Sequence, residues 1–297
     1  MHIKKSSTVV LTLGIGLLLA ACGNTSSDGA GGGFDVSQTI HVVSREDGSG
    51  TRGAFTEITK VLDKDDKGNE IDGTYSEAAI QNSTDGVMTS IVGDGTSIGY
   101  ISLGSLNDKI KAVKVNGVAP TAETIKDGSY AIARPFNLVY KDHLSKEAQD
   151  FTDFMFSQQG QEIVVKEGYV EANDKASVYT APINLDGKIS IVGSTSVTSV
   201  MEVLAEEYRK LNQNVTIDIT SNGSSAGITA AIDGTADIGM ASRELKEEEK
   251  TSLTVNVLAM DGIAIIINKE NTTNDLSMEQ VKNVFTGKLT KWEDLTE

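Results

Sequence analysis

KISIVGSTSVTSVMEVLAEEYRKL, residues 188–211, decides the fold. Lys188–Val192 has the apolar alternation of a strand. Gly193-Ser-Thr-Ser196 then breaks the pattern. Apolar residues return at 197, 200, 201, 204, 205, 208 and 211, a helical period that leaves one face for a core. A strand that feeds a helix through a short glycine–hydroxyl turn is the building unit of α/β proteins. Toward the C-terminus the unit recurs. Val215–Thr220 reads as a strand, 221–227 as a turn, and Ile228–Ile232 as the start of a helix. Ala236–Met240, Val255–Ala259 and Ile263–Asn268 are further strands, and Leu276–Phe285 is a helix with Ser277 as its cap. Toward the N-terminus, residues 171–187 are polar, contain Pro182 and Gly187, and read as a connector. The segment 145–168 contains an amphipathic helix whose stripe, Phe151, Phe154, Met155, Ile163 and Val164, is a core face. Asn137–Tyr140 and 95–103 carry strands. Thr39–Val43 is a strand, 44–53 a glycine-rich turn and Ala54–Leu62 a helix.

The first 33 residues belong to a different regime. Lys4 and Lys5 precede a short apolar run, Val9–Ala20, too short for an ordinary membrane span. The run ends in Leu19-Ala-Ala-Cys22, which holds the chain's single cysteine. Residues 1–21 are thus expected to be a secretory signal. Residues 22–37 are expected to be a flexible linker rich in Gly and Ser. The remaining body is long enough for two lobes of ordinary size. Net charge is −16, and loss of Lys4 and Lys5 with the signal leaves −18. Such a chain is a poor partner for nucleic acid or an anionic membrane surface. A small anion could be held only by local dipoles and by one or two buried cations.

Those local dipoles are present in the sequence. Asp47-Gly-Ser-Gly-Thr51, Gly193-Ser-Thr-Ser196 and Gly223-Ser-Ser-Ala-Gly227 each place glycines and hydroxyls between a strand and a helix start. A helix start offers unpaired N–H groups and the positive end of the macrodipole. Glycine permits close approach, and Ser or Thr adds a hydroxyl donor, so such turns suit a tetrahedral oxyanion. Arg45 and Arg52 flank the first of them. Other chemistries fit less well. No Gly-x-x-x-x-Gly-Lys-Ser/Thr loop occurs, and one cysteine with two mature histidines cannot build a structural zinc site. Gly223-Ser-Ser-Ala-Gly227 matches a nucleophile elbow around Ser225, but neither His41 nor His143 falls into a triad order. No catalytic residue, resident metal or cofactor is expected.

Ser44-Arg-Glu-Asp-Gly-Ser-Gly-Thr-Arg52 resembles the most recognisable motif of the PstS-type phosphate-binding proteins. Gly193-Ser-Thr-Ser-Val197, Asn222–Gly227, Ala236–Leu245, Asp261-Gly-Ile-Ala264 and Val284–Trp292 are similar to further motifs of that family. Leu-Ala-Ala-Cys22 resembles a lipoprotein lipobox. The resemblance implies a two-lobe, type II periplasmic-binding-protein-like α/β fold, with two crossing strands and a cleft between the lobes. It implies inorganic phosphate as ligand and the membrane permease subunits of an ABC importer as partners. It also implies Cys22 as the lipidated residue that holds the chain at the outer face of a Gram-positive membrane. Phosphate contacts carried over are Arg45, Ser49, Gly50, Thr51, Thr195, Ser196, Ser224 and Ser242, with Asp47 holding Arg45 and Arg243 behind the site. Many relatives carry an aspartate where Ser242 stands, which leaves Arg243 or Glu244 as further candidates there. The motif order differs from most relatives, so the chain reads as circularly permuted, with residues 171–187 joining the usual termini. Lobe A is expected over 38–130 plus 269–297. Lobe B is expected over 131–268 with the crossing strands at its ends. Residue 297 should then lie beside 36–40. The alternatives are a binding protein for another oxyanion (sulfate, molybdate or a phosphonate) and a surface adhesin on the same fold.

Overall fold

The structure is a computed structural model that describes residues 34–141 and 143–295. The expected signal, Cys22, most of the linker and residues 296–297 lie outside the described residues. The elements used below run, in chain order, as follows. The first lobe-forming run is β1 (His41–Arg45), α1 (Gly50–Ile58), β2 (Ala79–Gln81), α2 (Thr84–Gly93), β3 (Ser97–Ser102) and β4 (Ile110–Val115). Next come β5 (Ala133–Tyr140), α3 (Lys146–Met155) and α4 (Gln158–Lys166). Then follow β6 (Gly187–Gly193), α5 (Thr195–Leu211), β7 (Val215–Ser221), α6 (Ser224–Asp233), β8 (Ile238–Ala241), β9 (Thr254–Asn268) and α7 (Met278–Phe285).

One mixed sheet carries the strands in the order β7-β6-β8-β5-β9-β3-β1-β2, with β4 on a second stretch of β9. The strands β7, β6 and β8 are parallel at one end. At the other end β3, β1 and β2 are parallel. Between them β5 and β9 run antiparallel to each other along most of their length. Strands buried on both faces read as continuous apolar runs, which explains Ile263–Ile267.

Apolar side chains collect on either side of this central pair. Ile40, Val42, Phe55, Tyr100, Ile132, Ile263, Ile265 and Trp292 share one core. Phe136, Leu138, Phe151, Ile191, Leu204, Leu258 and Ala259 share another. The central strands pass from one core to the other at Arg134–Pro135 and at Asp261–Gly262. In the first core Phe55 stacks on Tyr100 with centroids 4.0 Å apart, and Phe285 meets Phe55 edge-on at 4.7 Å. Each buried phenylalanine stabilises by roughly 1.5–3 kcal/mol, which fixes α1 against β3 and α7.

Three local expectations are revised. The first helix begins at Gly50, not Ala54, because Ser49 caps it and accepts from the Arg52 N–H. The stretch 145–168 holds two helices, broken where Ser157 caps α4. The strands expected at 255–259 and 263–268 are one strand, β9, with a register shift between Val257 and Ala259. Glu297 is outside the described residues, but the chain just before it runs beside 38–40. The Ile40 N–H donates to the Thr290 carbonyl, the Trp292 N–H donates to the Gln38 carbonyl, and Phe34 meets Trp292 edge-on at 5.6 Å.

Candidate anion-binding site

Four helix starts meet where the parallel strands end. Ser49 caps α1, Ser83 caps α2, Ser194 caps α5, and Gly223 opens α6. In each case the polypeptide leaves a strand, turns within a few residues and enters a helix, so the N–H ends point toward the centre of the sheet. Gly223 sits at φ +99°, a backbone that favours glycine. Of these helices α1 packs into the first core and α5 into the second, while α2, through Val87 and Ile91, and α6, through Ile228 and Ala231, pack into two further apolar clusters.

Their side chains interlock across the gap. Thr51 Oγ1 lies 2.9 Å from Ser196 Oγ, and Thr84 Oγ1 lies 3.3 Å from Thr195 Oγ1. The Ser225 N–H donates to the Gly48 carbonyl at 3.1 Å. A Cβ on Gly50 would stand 2.2 Å from Ser224 Oγ and 2.7 Å from Ser242 Oγ, so only glycine permits this approach. The floor is a serine cluster: Ser194 Oγ donates to Ser242 Oγ at 2.8 Å, and the Ser242 N–H donates to Ser224 Oγ at 3.0 Å. Thr51, Ser194, Ser196, Ser224 and Ser242 are buried.

Arg45 supplies the cation. It is buried, and its Nη2 donates to Thr195 Oγ1 at 3.1 Å across the gap. Its Nε and Nη2 also hold both carboxylate oxygens of Glu46, at 2.8 and 2.9 Å. Behind it, the Arg45 N–H donates to the Tyr100 hydroxyl, which also pairs with Ser44 Oγ at 2.8 Å. Burial pushes the Tyr100 phenol up, so it stays protonated and can donate to Ser44.

Seven of the expected contacts therefore come together: Arg45, Gly50, Thr51, Thr195, Ser196, Ser224 and Ser242. Ser49 lies at the edge of the set, buried, with its oxygen engaged as the cap of α1. Two expectations are corrected. Asp47 does not hold Arg45. Gly48, at φ +86°, swings the turn so that Asp47 is exposed and pairs with Arg52, while Glu46 takes Arg45. Arg243 does not face the hydroxyls; it forks onto Glu249, with both contacts at 2.8 Å, and its Nη1 also reaches the Glu244 carbonyl. Glu244 is exposed. Thr84, Ser194 and Glu46 were missed. Ser83-Thr84 ahead of Val87 and Ile91 is a readable cap, but the strand before it is only 3 residues long and gives no apolar run. For the hydrolase alternative, Ser225 is exposed and His41 is bonded to Asp94 and Thr96.

A sheet with apolar clusters at both ends, and helix starts from both ends closing on one cluster of hydroxyls, defines a two-lobe solute-binding protein. Comparison with known proteins agrees. A family model described as a PBP superfamily domain matches residues 27–159 and 179–297. A phosphate-binding protein PstS 2 of Streptococcus pneumoniae is 51% identical over 296 residues, covering 99% of this chain and 100% of that protein. The crystal structure of a phosphate-binding protein of a phosphate ABC transporter from the same species superposes with a TM-score of 0.71. It is 53% identical and covers 87% of this chain and 100% of that one. A phosphate-binding protein PstS of Staphylococcus saprophyticus is 33% identical over 118 residues, which is 37% of each chain. The chain belongs to the PstS-type phosphate-binding proteins of the PBP superfamily.

Proposed function

We propose that this chain captures inorganic phosphate between its lobes and delivers it to the membrane permease of an ABC importer. The observation that carries this reading is the meeting of Thr51, Thr84, Thr195, Ser196, Ser224 and Ser242 with buried Arg45 at four helix starts. About four or five charge-assisted hydrogen bonds, each roughly 1.5–3 kcal/mol, reach the roughly 8 kcal/mol of micromolar binding. Glu46 and the acidic surface do not forbid this, because the donors are local and point inward. The contacts span both lobes, so the anion gains its full set only in the closed form, and binding draws the lobes together. Lobe A, 38–130 plus 269–297, and lobe B, 131–268 with the crossing strands at its ends, are the bodies that move; the support is that the apolar clusters gather at the two ends of the sheet, with the crossing strands changing core near Arg134–Pro135 and Asp261–Gly262.

Calorimetric titration with phosphate, and with sulfate as control, tests the reading. Micromolar or tighter phosphate binding is expected, with contraction in small-angle scattering on the same samples. Silence at millimolar phosphate removes the reading and favours a surface scaffold. Ser242 favours a second reading, an oxyanion receptor with weaker discrimination. It is a neutral hydroxyl in the floor, with no charge to repel a fully ionised anion. Equal competition by sulfate at equal concentration decides for that reading.

The chain order supports a circular permutation. The segments 38–40 and 290–292 pair, and the staphylococcal relative matches only about a third of each chain in one run. Lipidation at Cys22 would hold the protein at the outer face of the membrane; a Cys22→Ala chain recovered from the medium rather than the membrane fraction supports it, and retention contradicts it. Among the described residues no helix is long and apolar enough to cross a membrane.

A further inference from the structure

Arg134 and Asp261 are direct cross-strand partners on β5 and β9, and both are buried. Their neighbours along the strands, Ile132, Phe136, Ala259 and Ile263, are all apolar and fully buried. The Asp261 carboxylate is fully engaged. Arg134 Nε and Nη2 donate to Oδ2 at 3.1 and 3.0 Å. Ser102 Oγ and the Leu103 N–H donate to Oδ1 at 2.9 and 3.2 Å. The remaining guanidinium nitrogen, Nη1, donates to the Ser242 carbonyl at 3.0 Å. Ser242 in turn gives its N–H to Ser224 and takes a hydrogen bond from Ser194 on its hydroxyl.

A buried ion pair is an expensive way to hold two strands together, and apolar residues of similar volume commonly serve as well or better. What this pair supplies and an apolar pair cannot is direction. One end grips Ser102 and Leu103, at the end of a strand on the first core's side. The other grips the main chain of Ser242, in the floor of the anion site on the second core's side. The planar fork of arginine lets one side chain do both.

We propose that Arg134 and Asp261 are positioning residues for the anion site, holding the Ser242 loop in register with the opposite lobe. This rests on the phosphate reading above. With the pair intact, the Ser242 N–H and hydroxyl are set before the anion arrives. Without it, the loop must be ordered at the expense of binding.

Phosphate titration and thermal melting of the full chain test the proposal, with Arg134→Gln, Arg134→Lys, Asp261→Asn, Ser242→Ala and the double variant Arg134→Gln/Ser242→Ala. Arg134→Gln is expected to weaken phosphate binding about tenfold or more. Arg134→Lys should not restore it, since the single nitrogen of an ammonium does not reproduce the planar fork that reaches the carboxylate through Nε and Nη2 and the carbonyl through Nη1. In the Ser242→Ala background the Arg134→Gln change should matter several-fold less, because the two act through one loop. An unchanged affinity in a variant that only melts lower, or equal factors in both backgrounds, would assign the pair a structural role and overturn the proposal. Should Arg134→Gln fail to fold, Asp261→Asn carries the test: it keeps the side-chain shape and should show the same tenfold loss, and wild-type affinity overturns the proposal. A folded wild type that ignores phosphate overturns the phosphate reading and this proposal with it. A wild type that binds beside variants that bind equally well overturns the positioning role alone.

Discussion

Gly50 is the residue on which the close approach of α1 to the serine cluster turns. Its α-carbon faces Ser224 and Ser242 from the opposite lobe, and a methyl group there would collide with both hydroxyls. Gly50 is also the first residue of α1, and alanine is a better helix former than glycine by up to about 1 kcal/mol. Gly50→Ala should thus leave the melting temperature level or slightly raised and weaken phosphate binding at least a hundredfold. Loss of both together would mean that the residue serves the fold and not the closed site. At this scale most of the site was legible, because glycines beside hydroxyls at a strand end already announce a helix start: Thr51, Thr195, Ser196, Ser224 and Ser242 all meet. The partner of Arg45 was not legible. The resemblance implied Asp47, but with the left-handed turn at Gly48 it is Glu46 that pairs with Arg45.

Between elements, packing decides what periodicity leaves open. The apolar stripe of 145–168 continues through the break between α3 and α4, so the sequence alone reads as a single amphipathic stretch. The break is held by a close local contact: Gly160 lies against the C-terminal end of α3, and a Cβ on it would stand 2.3 Å from the Phe154 carbonyl oxygen and 2.5 Å from that of Met155. Gly160→Ala should destabilise by about 1–3 kcal/mol through overpacking, read as a fall in urea midpoint with phosphate affinity unchanged. A variant as stable as wild type would refute the packing account. In β9 the opposite error arose. Asp261-Gly262 interrupts an apolar run and reads as a gap, yet the strand continues because Arg134 receives the charge.

A second joint lies where β1, β3 and the end of the chain meet. Burial alone would raise the Asp94 carboxyl, but hydrogen bonds from His41, Thr96 and Ser97 outweigh it and hold the carboxyl well below its ordinary 3.8. Trp292 Nε1 donates to the Thr96 carbonyl beside it. A carboxyl lowered on folding stabilises fully above its unfolded value and loses that contribution as the pH falls toward the folded one. The gap in urea midpoint between wild type and Asp94→Asn should be full at pH 6–7 and should shrink below about pH 4. A gap that is constant with pH would show that the charge of Asp94 contributes nothing.

For the whole molecule, an acidic surface is compatible with the proposed anion site because the candidate donors are buried in the interior. The α/β class was readable from one strand–turn–helix unit repeated along the chain. The order of strands in the sheet was not, since it is set by pairings between residues far apart in sequence, such as β9 with β3 and with β5. The fourth helix start, at Thr84, escaped for a similar reason: β2 is too short to announce itself and is recognisable only by pairing with β1. Arsenate has the shape and charge of phosphate and scatters anomalously, so diffraction from crystals grown with arsenate locates the anion without assumption. One strong anomalous peak is expected among Arg45, Thr51, Thr195, Ser196, Ser224 and Ser242, bridging the two lobes. A peak elsewhere on the protein, or none at saturating arsenate, would contradict a site built from opposed helix starts.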